Sequence, residues 1–543
     1  MSEVWNNYHG THMIEVFDQR RFNPKGKLQP DGKTKGQEMF ALSSADLFAH
    51  LRLADASGTY CGLIGKAWSF SMLTGNTKLQ LECGGKLAGE SHLEDNSGLV
   101  GIVPFRPGEL HAASQLRPGL LAWVRGGTTM RALALWAEAH NLSISTSGDQ
   151  LGPSLAGAIA TGTHGSRLGY GALQNMVRGL HLITGDGHSV WIERASNPVL
   201  ADTVATSFAD KVIRDDRKFA DALVHLGAMG IVNGAIVELE PLRLFQKNVP
   251  ILRLAPMWDD WLKAVRARDF ARAAKILGCD ISPIFYEFSL NPFDPKGEES
   301  VHIFYSPTTA LIDTEVPGRT PRPADAVIQY VLQQTQLGML EPDAAPAADL
   351  PAIYIGLVRK ALEDEASLPN ARKWSVLHSS DQATGGPGML YNAGFAIPFG
   401  ELSRAIDIMC DTVKDMGPGR QFIFTYRFVT GAAGTLAHLR WPESVAVELD
   451  GASPAALLPY QIGAPNSLQA AKAIQDAFHR RGLPFAMHWG KLGNAPAIVK
   501  ENFGSAAEAA SSLGQWNKTR DALLQPEGKR TMRNQLVDNY DLA

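Results

Sequence analysis

Two short stretches of the chain concentrate residue types that do chemistry. From Ser145 to Tyr170 it reads STSGDQLGPSLAGAIATGTHGSRLGY, glycines among hydroxyls with a single imidazole at His164. Glycine weakens helix and strand interiors alike, so this density needs a reason. Without side chains, backbone N–H groups can approach a large flat or anionic ligand. The hydroxyls of Ser154, Thr161, Thr163 and Ser166 would add donors around it. Composition alone supports a binding loop, with a plain turn as the alternative. Much later, PFAMHWGKLG sets His488, Trp489 and Lys491 in one short polar-aromatic turn. Imidazole changes charge near neutrality and suits proton transfer, whereas lysine brings a point charge. A third stretch, YCGLIGKAWSFSMLTGN, feeds a short apolar run into a glycine turn. Turn amides there could converge on anionic oxygens, and a hairpin is an equal alternative.

The elements that must position these pieces follow from pattern. At 543 residues the chain exceeds one compact core, so two domains are expected. Composition is that of a globular protein, with 45% hydrophobic and 20% charged residues. A net charge of −4 argues against nucleic-acid binding. The four cysteines are scattered with no CxxC pair, suggesting neither a disulfide framework nor a metal site. No signal pattern opens the chain and no apolar run reaches membrane-spanning length, so a cytoplasmic location is expected, or secretion after removal of a signal.

Residues 1–36 read as an irregular arm, and SSADLFAHLRLADASG as a helix capped by Ser43 or Ser44, with Leu47, Leu51 and Leu53 on its apolar side. LLAWVRGGTT is a strand and turn, MRALALWAEAHN an amphipathic helix. MVRGLHLITGDGHSVWIE forms two strands about Gly185-Asp186-Gly187. DALVHLGAMGIVNGAIVELEPL gives a helix, a glycine turn and a β-branched strand. The dinucleotide fingerprint GxGxxG is absent, because Gly227, Gly230 and Gly234 are wrongly spaced. After Leu244 the composition changes: residues 245–470 carry aromatic segments, Pro-rich links and two clear strands, QFIFTYRFV and WPESVAVELD. LQAAKAIQDAFHRRG is a helix stopped by Gly482, and the tail a helix ended by Pro526 and Gly528. Strands dominate and helices intervene irregularly, an α+β pattern.

SLAGAIATGTHGS at 154–166, HLGAMGIVNGAIVELEP at 225–241 and HWGK at 488–491, in that order, resemble the vanillyl-alcohol oxidase / p-cresol methylhydroxylase (PCMH-type) superfamily of flavoproteins. The HWGK turn and the tail W-x-x-T-R-x-x-L-x-P-x-G resemble the alditol oxidase and sugar-lactone oxidase branch. The resemblance covers most of residues 40–244 and 480–530 and is weak between them. It implies a PCMH-type FAD-binding domain at 1–244, an α+β cap or substrate domain at 245–470, and a segment at 471–543 returning to the flavin. The implied FAD contacts are Gly65, Lys66, Ala67, Trp68 and Ser69 at the diphosphate. Along the ribityl chain and ring they are Asp149, Ser154, Gly157, Ala158, Thr161, Gly162, Thr163, His164, Gly165, Ser166 and Gly169, with Gly230, Ile231 and Val232 beside them. Relatives carry Gly-His-Ser in the first loop, whose histidine bonds covalently to flavin. Trp68 stands there in this chain, so noncovalent FAD is expected.

The implied reaction oxidises a CH–OH group by hydride transfer to flavin, with dioxygen as acceptor and hydrogen peroxide as product. Lys491 would stabilise the negative charge that develops, His488 would bond the substrate oxygen or take its proton, and Arg427 would contact substrate. Relatives carry an acid two residues before that arginine, where this chain has Thr425. That loss and the long cap leave a sterol or other bulky alcohol as an alternative to a sugar alcohol or lactone. A same-fold dehydrogenase with another acceptor, and a non-catalytic relic of the flavin site, are the other readings. Tyr426, Ser166 and Glu448 are weaker site candidates, and Phe285, Tyr286 and Phe288 read as core.

Overall fold

The structure, a computed structural model, describes residues 3–6, 13–16, 18–21, 34–64, 79–82, 99–309, 350–365, 371–374, 390–416, 422–452 and 467–542. Two large sheets carry most of the order, and the fold is α+β.

The first sheet has six strands: β1 (Ile102–Pro104), β2 (Leu121–Arg125), β3 (Val177–Gly185), β4 (His188–Glu193), β5 (Lys211–Arg214) and β6 (Ile231–Glu238), in the order β5-β4-β3-β6-β2-β1. Its central strands read as near-continuous apolar runs because both faces are covered, so β2 is buried at every position. The β3–β4 hairpin turns at Asp186-Gly187 as expected, Gly187 taking φ 72°.

One face is covered by α1 (Gly36–Ala56), the other by α2 (Met130–Ala139) and α3 (Leu155–Thr161). Thr129 caps α2 by accepting from the Ala132 N–H at 3.1 Å, and Ser154 caps α3. The expected start of α1 is corrected. The helix begins at Gly36, so Ser43 and Ser44 lie within it and bond inward, Ser43 Oγ donating to Asn233 Oδ1 at 2.5 Å and Ser44 Oγ to the Phe40 carbonyl at 3.0 Å. Leu47 and Leu51 are fully buried as expected. The irregular arm is corrected too, since Glu3–Asn6, Met13–Val16 and Asp18–Arg21 are strands.

The second sheet has eight: β7 (Leu244–Asn248), β8 (Ile251–Arg253), β9 (Phe285–Leu290), β10 (Glu299–Thr308), β11 (Leu390–Pro398), β12 (Phe422–Thr430), β13 (Glu443–Ala452) and β14 (Ala486–Met487). They run β7-β10-β9-β12-β13-β11-β14, with β8 also on β10. One face packs its aromatic residues against the helices Trp258–Arg266, Leu402–Asp415 and Ser467–Arg480. The tail helix ends at Leu523, and Pro526 opens a further helix, Pro526–Thr531, that contains Gly528. Proline stands at a first turn, where its missing N–H is no loss.

Asn233 ties α1 to the first sheet, its Nδ2 donating to the Phe40 carbonyl at 2.9 Å and to His181 Nδ1 at 3.0 Å. Asn233→Ala strands the buried His181 Nδ1 and should cost about 1–3 kcal/mol, measured as a lower urea midpoint; an unchanged midpoint would show that α1 does not depend on this contact.

Candidate active site

Period-two alternation gives the second sheet one polar face. Glu287 and Ser289 on β9 lie opposite Arg427 and Thr425 on β12; Thr425 lies opposite Glu448 on β13; Gly394 and Asn392 on β11 lie opposite Glu448 and Asp450. Residues directly opposite in a ladder share a face, so seven polar side chains gather around one glycine. Ser289 and Thr425 share a hydrogen bond of 2.9 Å, and the Asn392 amide donates to Asp450.

The missing side chain of Gly394 lets the C-terminal turn settle on this face. His488 N–H donates to the Gly394 carbonyl at 2.9 Å. A Cβ on Gly394 would lie 2.8 Å from Lys491 Cδ and 3.0 Å from His488 Cβ. On the turn's other side, a Cβ on Gly490 would lie 3.1 Å from Thr161 Cβ, at the end of α3. The fully buried Trp489 anchors the turn through Nε1–H to the Leu436 carbonyl at 2.7 Å.

Glu448 is the hub of the charges. Its Oε1 lies 2.5 Å from Lys491 Nζ, 3.4 Å from an Arg427 terminal nitrogen and 3.8 Å from His164 Nε2. Burial pushes this carboxyl up, but Arg427, then Lys491, outweigh it and hold it well below the usual carboxylate range. Arg427 also pairs with Glu287 at 3.1 Å. Glu287 is pushed up to about 7, chiefly by burial, with Arg427 opposing. Burial raises Asp450 as well, with Glu448 adding to the effect. Tyr354, in the helix Leu350–Glu365, is raised by burial and by Glu287 beside it.

Three imidazoles stand beside the hub. His164 lies 5.6 Å from His488 and 5.5 Å from His438, and His438 lies 4.4 Å from His488, centre to centre. Burial lowers all three, His164 to about 4 and His438 and His488 well below the usual imidazole range, which keeps them neutral near pH 7. They are the one group with metal-ligand spacing among the described residues. However, the Gly490 N–H donates to His488 Nδ1 at 2.9 Å, so neutral His488 carries its proton on Nε2 and presents a donor. His164 has the opposite tautomer, Nδ1–H donating to the Gly165 carbonyl at 3.1 Å and Nε2 open toward Glu448. With Lys491 and Arg427 alongside, this is a hydrogen-bonding pocket and a poor cation site.

The structure thus brings the Thr161–Ser166 loop, His488, Lys491, Arg427 and Glu448 together. It changes the expected part played by the loop's hydroxyls. Ser154 Oγ caps α3, Thr161 Oγ1 donates to the Gly157 carbonyl at 3.3 Å, and Ser166 Oγ donates to the Tyr286 carbonyl while accepting from Phe428 N–H at 3.0 Å. The loop's backbone is largely engaged too: Gly157 N–H donates to Ser154 Oγ, Ala158 N–H to the Ser154 carbonyl, Gly162 N–H to the Ile159 carbonyl and Thr163 N–H to the Ala158 carbonyl. Gly162 ends α3 in the left-handed region at φ 72°. Asp149 is exposed and adds negative potential at Arg427. Gly230 rests on the Ile183 carbonyl, and the buried Ile231 and Val232 start β6, whose Val232 carbonyl meets Gly126 beside α3. Gly65, Lys66, Ala67, Trp68 and Ser69 lie outside the described residues. Tyr426, Phe285, Tyr286 and Phe288 are core, as expected for the aromatics; Tyr426 faces away from the polar surface. Sequence reasoning missed Glu287, Asp450, Tyr354 and His438. Glu287 had a signal, a lone carboxylate in the aromatic strand FYEFSL; His438 sits in a loop with none.

Buried atoms without protein partners flank the loop: Thr146 Oγ1, Gln174 Oε1 and both ring nitrogens of His438. His438 Nδ1 and Gln174 Nε2 lie 3.4 and 3.5 Å from where a Cβ on Gly162 would stand. A heteroaromatic cofactor with carbonyls and ring nitrogens supplies the complementary groups, so these residues fit a flavin.

Comparison with known proteins agrees. Residues 89–193 match the family model described as FAD binding domain. The chain is similar to an alditol oxidase from Streptomyces sp. (strain IKD472 / FERM P-14339), 32% identical over 118 residues, 22% of this chain and 24% of that protein. It is also similar to a D-arabinono-1,4-lactone oxidase from Candida glabrata, 22% identical over 149 residues, 27% and 25% of the two chains. The matched stretches thus span about a quarter of either relative. A solvent-stable cholesterol oxidase shares the fold with a TM-score of 0.63 at 13% identity, over 99% of this chain and 97% of that one. A VAO-type flavoprotein from Myceliophthora thermophila does so with a TM-score of 0.53 at 12% identity, over 90% and 78%. The resemblance to the vanillyl-alcohol oxidase / PCMH-type superfamily holds, FAD is the cofactor, and the chain is related to the sugar-alcohol and lactone oxidases over the matched stretches.

Glu287 sets a pH dependence of stability. Its folded pKa of about 7 exceeds the ordinary carboxyl value of 4.5, so between these limits the folded state holds the extra proton and stability falls as pH rises. Glu287→Gln should flatten that fall, by on the order of 3 kcal/mol at most, in urea midpoints compared at pH 5 and pH 8; parallel wild-type and variant profiles would contradict it.

Proposed function

We propose that the chain is an FAD-dependent oxidase that converts a CH–OH group of a small polyhydroxylated alcohol or lactone to a carbonyl, with dioxygen as acceptor and hydrogen peroxide as second product. The observation that carries this reading is the Lys491–Glu448–Arg427 array, buried on the cap sheet against the Thr161–Ser166 loop and the His488 turn. When bound, FAD would supply the two-electron redox chemistry between substrate and dioxygen. Residues 157–166, with Gly230, Ile231 and Val232, would hold it, and residues 65–69 would take the diphosphate.

The protein's own groups then have separable tasks. His488 Nε2–H donates a hydrogen bond to the substrate oxygen; with Nδ1 occupied by the Gly490 N–H, it is a donor more than a base. Glu287, a buried carboxylate that titrates near neutrality, takes the hydroxyl proton. Lys491 holds positive charge where negative charge collects as hydride leaves the substrate. Arg427 and its two carboxylates orient further hydroxyls, with Ser289, Thr425, Asn392 and Asp450 along the same face. Such a face suits a polar substrate and would desolvate poorly against a sterol. The acid missing at Thr425 has counterparts across the ladder, Glu287 and Glu448 both pairing with Arg427.

The purified protein should be yellow, and acid precipitation should leave the colour in the supernatant, as noncovalent FAD requires. Oxygen uptake with peroxide release on alditols or sugar lactones, and none on sterols, is the expected pattern. Reduction by substrate without oxygen uptake would point to a dehydrogenase, and a protein still colourless after incubation with FAD to a relic of the site. Lys491→Met should slow flavin reduction by substrate by about 10- to 1,000-fold with smaller effect on FAD affinity; unchanged reduction kinetics would remove Lys491 from the chemistry.

A further inference from the structure

On the far face of the cap sheet, away from the polar side chains, lies a hydrogen-bonded chain that the reaction above leaves unused. Trp261, Tyr286 and His302 have no exposed surface and Ser300 has 1%. Trp261 Nε1 lies 3.0 Å from Tyr286 Oη, Oη 2.9 Å from His302 Nδ1, and His302 Nε2 2.9 Å from Ser300 Oγ, which lies 3.0 Å from the Leu252 carbonyl. Donor counting fixes every direction. Ser300 has one hydroxyl proton and gives it to Leu252, so it accepts from His302 Nε2–H. His302 therefore offers a lone pair at Nδ1, Tyr286 donates to it, and the indole N–H donates to the phenol oxygen.

A buried phenol whose proton already points at a neutral imidazole can lose an electron as that proton moves to His302; burial disfavours the imidazolium so formed, which drives the proton back once the oxidising equivalent has moved outward. Position makes this useful. The Tyr286 N–H donates to the Ser166 carbonyl at 3.1 Å, its carbonyl accepts from Ser166 Oγ, and the next residue, Glu287, faces the polar side. In the outward direction Trp261 lies 5.4 Å from Trp258, which is 7% exposed.

We propose that Tyr286, Trp261 and Trp258 form a path that carries one-electron oxidising equivalents away from the flavin loop to the surface, with His302 as proton acceptor. Superoxide, formed where dioxygen is reduced by one electron, takes one electron from Tyr286 and two protons from solvent and leaves as hydrogen peroxide. The Tyr286 O–H bond breaks and its proton passes to His302 Nδ1. An electron from Trp261 then reduces the tyrosyl oxygen, His302 returns the proton, and the hole moves to Trp261 and on to Trp258. There a thiol or other external reductant gives the electron that closes the balance.

Only the site of the oxidant rests on the proposed oxidase reading. The test uses FAD-loaded protein, whose visible spectrum is recorded first, so that failure of flavin binding is seen apart from failure of the path. Excitation of the flavin under argon supplies the one-electron oxidant, and electron paramagnetic resonance of protein with ring-deuterated tyrosine identifies the radical. The expected result is a tyrosyl signal that is lost in Tyr286→Phe and outlives the wild-type signal in Trp261→Phe, where the exit is cut. Peptide mapping after prolonged illumination in air should find oxidation at Trp258 in the wild type and its loss in both variants. Thermal unfolding checks that the variants are folded. An unaltered radical and undiminished Trp258 oxidation in folded variants would overturn the path and leave the relay as core packing alone.

Discussion

A carboxylate with no access to water must be surrounded by positive charge or give up its own, and the arrangement around Glu448 is the first of these. Lys491 comes from the C-terminal turn and Arg427 from a neighbouring strand, and the neutral His164 of the glycine loop stands 3.8 Å away, so parts of the chain hundreds of residues apart meet on one carboxyl oxygen. Removing either cation would leave Glu448 buried without its balance. The array therefore constrains the assembly as much as the chemistry: the turn, the cap sheet and the loop must all be placed before the charge is satisfied.

Backbone and small residues make that convergence possible. Two strands of ordinary alternation would have put a side chain where Lys491 and His488 now lie, and Gly394 removes it. Gly490 does the same against Thr161. Trp489 supplies the opposite property, a large fully buried ring whose N–H is fixed to the Leu436 carbonyl. The turn is thus held by its aromatic member and opened by its glycine, leaving its two polar members to face the site.

Much of the frame was legible in the sequence because it rests on local rules. The Asp186-Gly187 hairpin, the apolar runs of the first sheet and the helix after Thr129 follow from turn chemistry, burial and capping. The three motifs in order gave the cofactor. The polar face was less legible, since strand pairing is nonlocal: nothing in the segments holding Glu287, Arg427 and Glu448 states that they are neighbours. Ser43 misled for the converse reason. Its hydroxyl has the chemistry of a cap, and only the arrival of Asn233 from a distant strand explains a serine in the middle of α1.

Cofactor loops are commonly read through their hydroxyls, and here that reading gives way to a division of labour. The hydroxyls of Ser154, Thr161 and Ser166 are engaged within the protein, Ser166 bonding to two strands of the cap sheet at once. A loop so fastened, with the amides of Gly157, Ala158, Gly162 and Thr163 bonded internally as well, is a rigid wall against which a flat ligand can lie. The nitrogens left open belong to His438, His488 and His164, all neutral and differing in which ring nitrogen carries the proton. Neutral imidazoles bring donors and acceptors into a low-dielectric space without adding charge to the balance that Glu448 depends on. That is the physical reason for three histidines where further lysines or acids would have broken the array.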